Sequence, residues 1–178
     1  RLSRGLGDVY KRQDKNLTIA REFCEKAIQI DPLFSLAYSM LAKINHSELI
    51  RFAKEDSDTI LDEMFENASK AAELDPQNPE SSVMLSTYYF FKGDFTFSQN
   101  HAEKAVELNP SNPEAYMRLG LSMIHQGDYE NSEEFVRKSI EIDPLDPKIV
   151  RRKIPYFFLY MGRNEFEKAF EVTKEILE

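Results

Sequence analysis

The chain has 178 residues, 42% hydrophobic and 30% charged, with a net charge of −8. That apolar content is enough for one domain or one array of repeats with a continuous core, and the negative field opposes nonspecific binding to nucleic acid or an anionic membrane. No apolar run reaches the length that spans a bilayer, no segment has the build of a signal peptide, and a lone cysteine excludes an internal disulfide, so the sequence reads as a soluble, cytoplasmic protein.

Residues 1–13 stand apart from the rest of the chain. Ser3 to Gln13, SRGLGDVYKRQ, resembles the in-frame translation of a transposase adaptor used to prepare DNA libraries. We read 1–13 as non-native and set it aside, which removes four basic residues and one acidic one and takes the net charge from −8 to −11. From Asp14 a helix is expected over NLTIAREFCEKAIQIDP, with Ala20, Cys24, Ala27 and Ile30 on its inward face. Cys24 on that face reads as a small core residue and not as a reactive thiol.

The stretch 35–78 carries Tyr38, Leu41 and Ala42 at helical spacing and closes at Asp75-Pro76. Its close falls about ten residues late, and the excess lies around 45–58, read as an extended first helix or a longer loop capped at Ser57 or Asp58. Asp56, Asp58 and Asp62 lack the spacing of a calcium loop and read as a solvated face.

Residues 79–112 and 113–146 repeat one another. Both open with Pro-Glu, turn at Gly93-Asp94-Phe95 and Gly127-Asp128-Tyr129, and close on Asn109-Pro110 and Asp143-Pro144. Each copy is a helical hairpin. Asn112 caps a helix that begins at Pro113, Gly127 supplies a left-handed residue that stops it, and Asp128 caps the next. The second helix stops before Pro144, because the residue preceding a proline is pushed out of the helical region. Tyr116, Leu119 and Met123 face Phe135, Val136 and Ile140, and small residues meet where the helices approach closest, Gly120 opposite Ser132 and Ser86 opposite Ser98. A period of this length signals a solenoid.

In 147–178 the pattern degrades. Asp146-Pro147 starts a helix that Gly162 ends, Pro155 should kink it or delay its start, and the interval from Gly162 to Ala169 is two residues too long. A second helix is expected over Phe166, Ala169, Val172, Thr173 and Ile176.

These motifs resemble the tetratricopeptide repeat (TPR). The pattern of an aromatic, Leu-Gly, Gly-Asp-Tyr, a small residue and Asp-Pro is met by Tyr116, Leu119-Gly120, Gly127-Asp128-Tyr129, Ser132 and Asp143-Pro144; Ser82 departs from it, where a large residue is missing. Leu6-Gly7 and Tyr10 also stand near family positions, the competing reading of 1–13. The resemblance implies an all-α, right-handed superhelical solenoid of antiparallel helix pairs over 14–178, opened at 14–34 by the second helix of a truncated repeat. It implies a concave groove lined by first helices, here near Ser39, Lys43, Val83, Thr87, Phe90, Phe91, Met117, Leu121, Ile124 and His125, that receives a peptide or partner helix. One subtype clamps a terminal carboxylate through Lys and Asn; here the places hold Ser39, Lys43, Val83, Met84, Thr87 and Met117, and no clamp forms. Lys148, Arg151, Arg152 and Lys153 read as a wet helix face or a dock for an acidic partner.

No catalytic signature accompanies the repeats. His46, His101 and His125 fall in separate repeats without metal spacing, and CxxC, HExxH, a phosphate-cradling Gly-rich loop and GxSxG are all missing. The expected function is a protein interaction scaffold with protein or peptide partners, no cofactor, no metal, and no nucleic acid or membrane partner. The alternative is the repeat region of a larger enzyme or transcription regulator, since AIQIDPLFSLAYSMLA and AAELDPQNPESSVML are similar to repeat regions of bacterial nucleotide cyclases and winged-helix regulators.

Overall fold

The computed structural model describes residues 2–52, 57–146 and 149–177, with side chains from residues 15 to 50, 57 to 146 and 149 to 177. Among these residues all regular structure is helical: α1 (Leu2–Ile30), α2 (Ser35–Phe52), α3 (Ser57–Leu74), α4 (Pro79–Phe91), α5 (Phe95–Leu108), α6 (Pro113–His125), α7 (Tyr129–Glu141), α8 (Ile149–Gly162) and α9 (Phe166–Leu177). Two compact units, Arg1–Met84 and Leu85–Glu178, divide the chain, with α4 crossing the boundary.

In the first unit α2 and α3 form a hairpin of two 18-residue helices, against the 13 residues of α4. The excess chain in 35–78 therefore lengthens both helices, and residues 53–56 between them lie outside the described ones. Ala42, Met64, Ala68 and Ala71 are fully buried, so the hairpin closes on small residues and one flexible methionine. A polar network that the sequence did not announce ties α1 to it. Arg21 pairs with Glu48 at 2.6 Å, while buried Asn45 donates to Glu63 at 2.9 Å and accepts from Asn67 at 3.2 Å. Ser35 donates to the Ala71 carbonyl at 3.0 Å and accepts from Asn78, fastening the start of α2 to the end of α3.

The second unit repeats a single turn three times. Gly93 and Gly127 have φ of +78° and +86°, and the amide after each reaches back to the helix, Asp94 to Tyr89 and Asp128 to Met123, at 2.9 and 3.0 Å. Asp94 and Asp128 then cap α5 and α7, accepting from the amides of Phe97 and Asn131. The third turn corrects the sequence reading of 147–178. Its left-handed residue is Asn164, φ +60°, and Glu165 donates to the Tyr160 carbonyl at 2.8 Å as Asp128 does to Met123. Asn164-Glu165-Phe166 thus stands in the place of Gly-Asp-aromatic, and Ala169 follows Asn164 at the same interval as Ser132 follows Gly127. The two surplus residues vanish once Gly162 is placed inside the last turn of α8. That helix begins at Ile149, ahead of the buried Pro155, and continues through it. The expected start at Asp146-Pro147 falls partly on Pro147, outside the described residues.

Packing in this unit follows the hairpin pattern. Ala102, Leu119 and Met123 form one core with Val106 and Phe135, joining α5, α6 and α7. Ile124, Val136 and Leu159 form a second with Tyr129, Tyr156 and Tyr160, joining α6, α7 and α8. Where α4, α5 and α6 approach closest, three buried serines bond to one another: Ser98 lies 3.2 Å from the Ser86 hydroxyl and 2.7 Å from that of Ser122, and donates to the Ser86 carbonyl. Small hydroxyls let the backbones come close while leaving no polar group orphaned.

Candidate groove

The residues expected to line a groove fall on three helices. On α2, Ser39 is buried and donates to the Leu36 carbonyl, and Lys43 is half exposed and pairs with Glu80 at 2.9 Å. On α4, Val83 and Thr87 are fully buried, Phe90 is half-buried and Phe91 is 45% exposed. On α6, Met117, Leu121 and Ile124 are buried, with Ile124 in the second core, and His125 is exposed.

Within the second unit the structure brings some of these together around one ring. His125 has the Phe90 ring at 4.8 Å, Phe95 at 4.9 Å and Phe158 at 5.4 Å, and Phe90 in turn meets Phe91 at 6.1 Å. Phe95 and Phe158 are not among the sequence candidates. By spacing, Phe95 is only the motif aromatic and Phe158 only part of a degenerate helix. His125 Nδ1 lies 2.9 Å from the Leu121 carbonyl, which can only accept, so Nδ1 carries the hydrogen and Nε2 is the nitrogen left to meet a ligand. The result is a patch of phenylalanine edges and faces, Phe91 and Phe158 substantially exposed, with one polar ring in its middle.

The described residues of the basic run on α8 pair in different directions. Successive helical residues point about 100° apart, so neighbours in sequence reach different partners. Arg151 contacts both Glu114 oxygens at 2.9 and 3.1 Å; buried Arg152 pairs with Asp146 and donates to the Ser139 and Asp143 carbonyls at the end of α7; Lys153 pairs with Glu175 at 2.8 Å. Lys148 lies outside the described residues. Of that run buried Arg152 departs from the reading of a wet face, while Arg151 and Lys153 stay partly exposed and pair within the chain.

Burial pushes the half-buried Cys24 thiol above its ordinary value, with Arg21 opposing and Glu25 adding, a shift away from the thiolate. His101 stacks on Tyr89 at 5.4 Å. Among the described residues no three His, Cys, Asp or Glu side chains gather as a metal site, and no helix is long and apolar enough to cross a membrane. An open depression of about 310 Å³ between α8 and α9 is lined by Tyr160, Glu167, Lys168, Glu171 and Val172.

Repeated helical hairpins with matched left-handed turns define an all-α helical-repeat protein. Models of the tetratricopeptide repeat match residues 83–147 and residues 5–32, together a little over half of the chain. The chain belongs to the tetratricopeptide repeat family. Solved structures agree in fold: MamA is 21% identical with a TM-score of 0.61, over 94% of this chain and 91% of that one. A thermophilic TPR protein of Thermus thermophilus is 15% identical with a TM-score of 0.69, over 95% and 86%. YrrB, described as a TPR protein with an unusual peptide-binding site, is 19% identical with a TM-score of 0.59, over 93% and 79%. No curated protein matches the sequence.

Proposed function

We propose that this protein is an interaction scaffold whose product is an assembly, and that Phe90, Phe91, His125 and Phe158 take an apolar side chain of a peptide or partner helix. The observation that carries this reading is the pair of exposed phenylalanines, Phe91 at 45% and Phe158 at 40%, the second against a histidine whose Nδ1 is already committed and the first joined to that histidine through Phe90. Exposed aromatics anchored on rigid helices lose little entropy on binding and contribute most where water is excluded around them. A single polar ring among them fixes the orientation of what enters. YrrB, with its peptide-binding site on the same fold, supports a peptide as the class of ligand. The net charge of −8 selects against strongly acidic peptides.

Peptide-display selection on the full chain tests this. Selected peptides should carry a large aromatic or aliphatic residue, and Phe91→Ser with Phe158→Ser should abolish their binding while helicity and unfolding stay as in the wild type. Binding that survives the double change in a folded protein would remove the groove from the account.

A further inference from the structure

α9 turns only part of its apolar surface to its own unit. Ala169 is buried, and Val172, Thr173 and Ile176 are half-buried on the side that packs on α8. Phe166, Phe170 and Leu177, however, are 54, 67 and 81% exposed. At 100° per residue these three fall within about 40° of one another, so they form a line down one flank of the helix. Single exposed apolar residues are ordinary, but three on one line, two of them aromatic, are a stripe that water wets at a cost. Glu167 and Lys174 stand beside that stripe, both exposed and about two turns apart.

We propose that this stripe binds the same stripe of a second copy of the chain, so that two α9 helices pair antiparallel about a two-fold axis just beyond Phe170. The charges choose both the occupant and the direction. In the antiparallel pair the two charged flanks lie on the same side of the seam and Glu167 of each copy faces Lys174 of the other, twice by symmetry; in a parallel pair the two-fold sets those flanks on opposite sides of the seam and neither pairing forms. The antiparallel operation sets Phe170 beside Phe170 and brings each Phe166 within about two residues of the other Leu177, so the apolar lines cover one another. A contact of this kind is isologous and closes at two copies. It uses none of the groove residues, so it stands or falls apart from the proposed function.

Sedimentation equilibrium of the full chain across about 5 to 500 µM decides it. The wild type should move from monomer to dimer in that range, and Phe170→Glu should stay monomeric with unchanged helicity, since the side chain it replaces is exposed. Lys174→Glu, which sets Glu against Glu twice, should weaken the dimer by about tenfold. Lys174→Glu combined with Glu167→Lys restores opposite charges and should recover the wild-type constant. A wild type that remains monomeric throughout, a dimer indifferent to Phe170→Glu, or a charge exchange that fails to recover association would each overturn the proposal; in the first case the stripe is left for a different partner.

Discussion

Gly120 sits against the backbone of α7, so close that a Cβ placed on it would come within 2.7 Å of Val136 Cγ2 and 3.2 Å of the Ser132 carbonyl oxygen. The second of these atoms is main chain and cannot rotate away. Gly120→Leu therefore forces α6 and α7 apart and should cost about 1 to 3 kcal/mol, read as a lower urea midpoint with an unchanged m-value. Gly120→Ala should cost less but still destabilise. An unchanged midpoint for the leucine variant would mean that the hairpin is not in this register.

That contact was legible in the sequence because Gly120 and Ser132 repeat, 34 residues on, the places of Ser86 and Ser98 in the preceding hairpin, both copies being punctuated by Gly-Asp and Asn/Asp-Pro. The same punctuation misleads at α8. Glycine is the usual left-handed residue and points to Gly162, whereas the chain turns at Asn164, the commonest substitute there. At the candidate site, Phe158 reads only as one apolar residue of a degenerate helix, and nothing in local spacing says that its ring meets His125 at 5.4 Å. Phe90, Phe91 and His125 are expected from motif position, and the structure sets their rings in sequence, Phe91 to Phe90 at 6.1 Å and Phe90 to His125 at 4.8 Å. The polar ties Arg21–Glu48 and Arg151–Glu114 lay beyond reach, since nothing in local spacing says which of many charged side chains meet across helices.

The turn makes its own prediction. At φ +60° a Cβ-bearing residue other than Asn or Asp is strained, so Asn164→Ala should cost about 1 kcal/mol, whereas Asn164→Gly should be neutral or slightly stabilising. Gly93→Ala and Gly127→Ala should match the first figure, because open space surrounds both Cβ positions and only the backbone resists. Equal stability of the Ala and Gly variants at residue 164 in urea unfolding would show that the residue is not left-handed in solution.

Glu114 holds two guanidinium groups from two helices, Arg118 at 3.3 Å on its own helix and Arg151 at 2.9 Å on α8. Arg118 is buried; burial pushes its pKa down and Glu114 pushes it back up. Removing the carboxylate leaves a buried cation without that compensation, so Glu114→Ala should cost about 2 kcal/mol or more. Replacing both members, Glu114→Leu with Arg118→Met, should recover most of the loss, because the desolvation penalty goes with the charge. If the single change proves harmless in thermal unfolding, the pair contributes nothing to the joint between α6 and α8.

His101 supplies a pH dependence whose sign is fixed. Burial first, and Lys104 second, lower its pKa below the ordinary 6.5, so the folded chain holds the ring neutral at a pH where the unfolded chain already takes a proton. The unfolded state thus binds more protons, and stability rises with pH through this window. The contribution of His101 should be fully present above 6.5 and should fade as pH falls from there through the lowered folded value. The stacking partner Tyr89 lies at 5.4 Å, so His101→Phe can keep the aromatic contact while removing the proton site. Urea midpoints of wild type and His101→Phe, compared from pH 8 downward, should show the wild type losing ground to the variant below 6.5. A difference that stays constant across that range would mean that His101 titrates alike in both states and that the ring is not held in its buried stack.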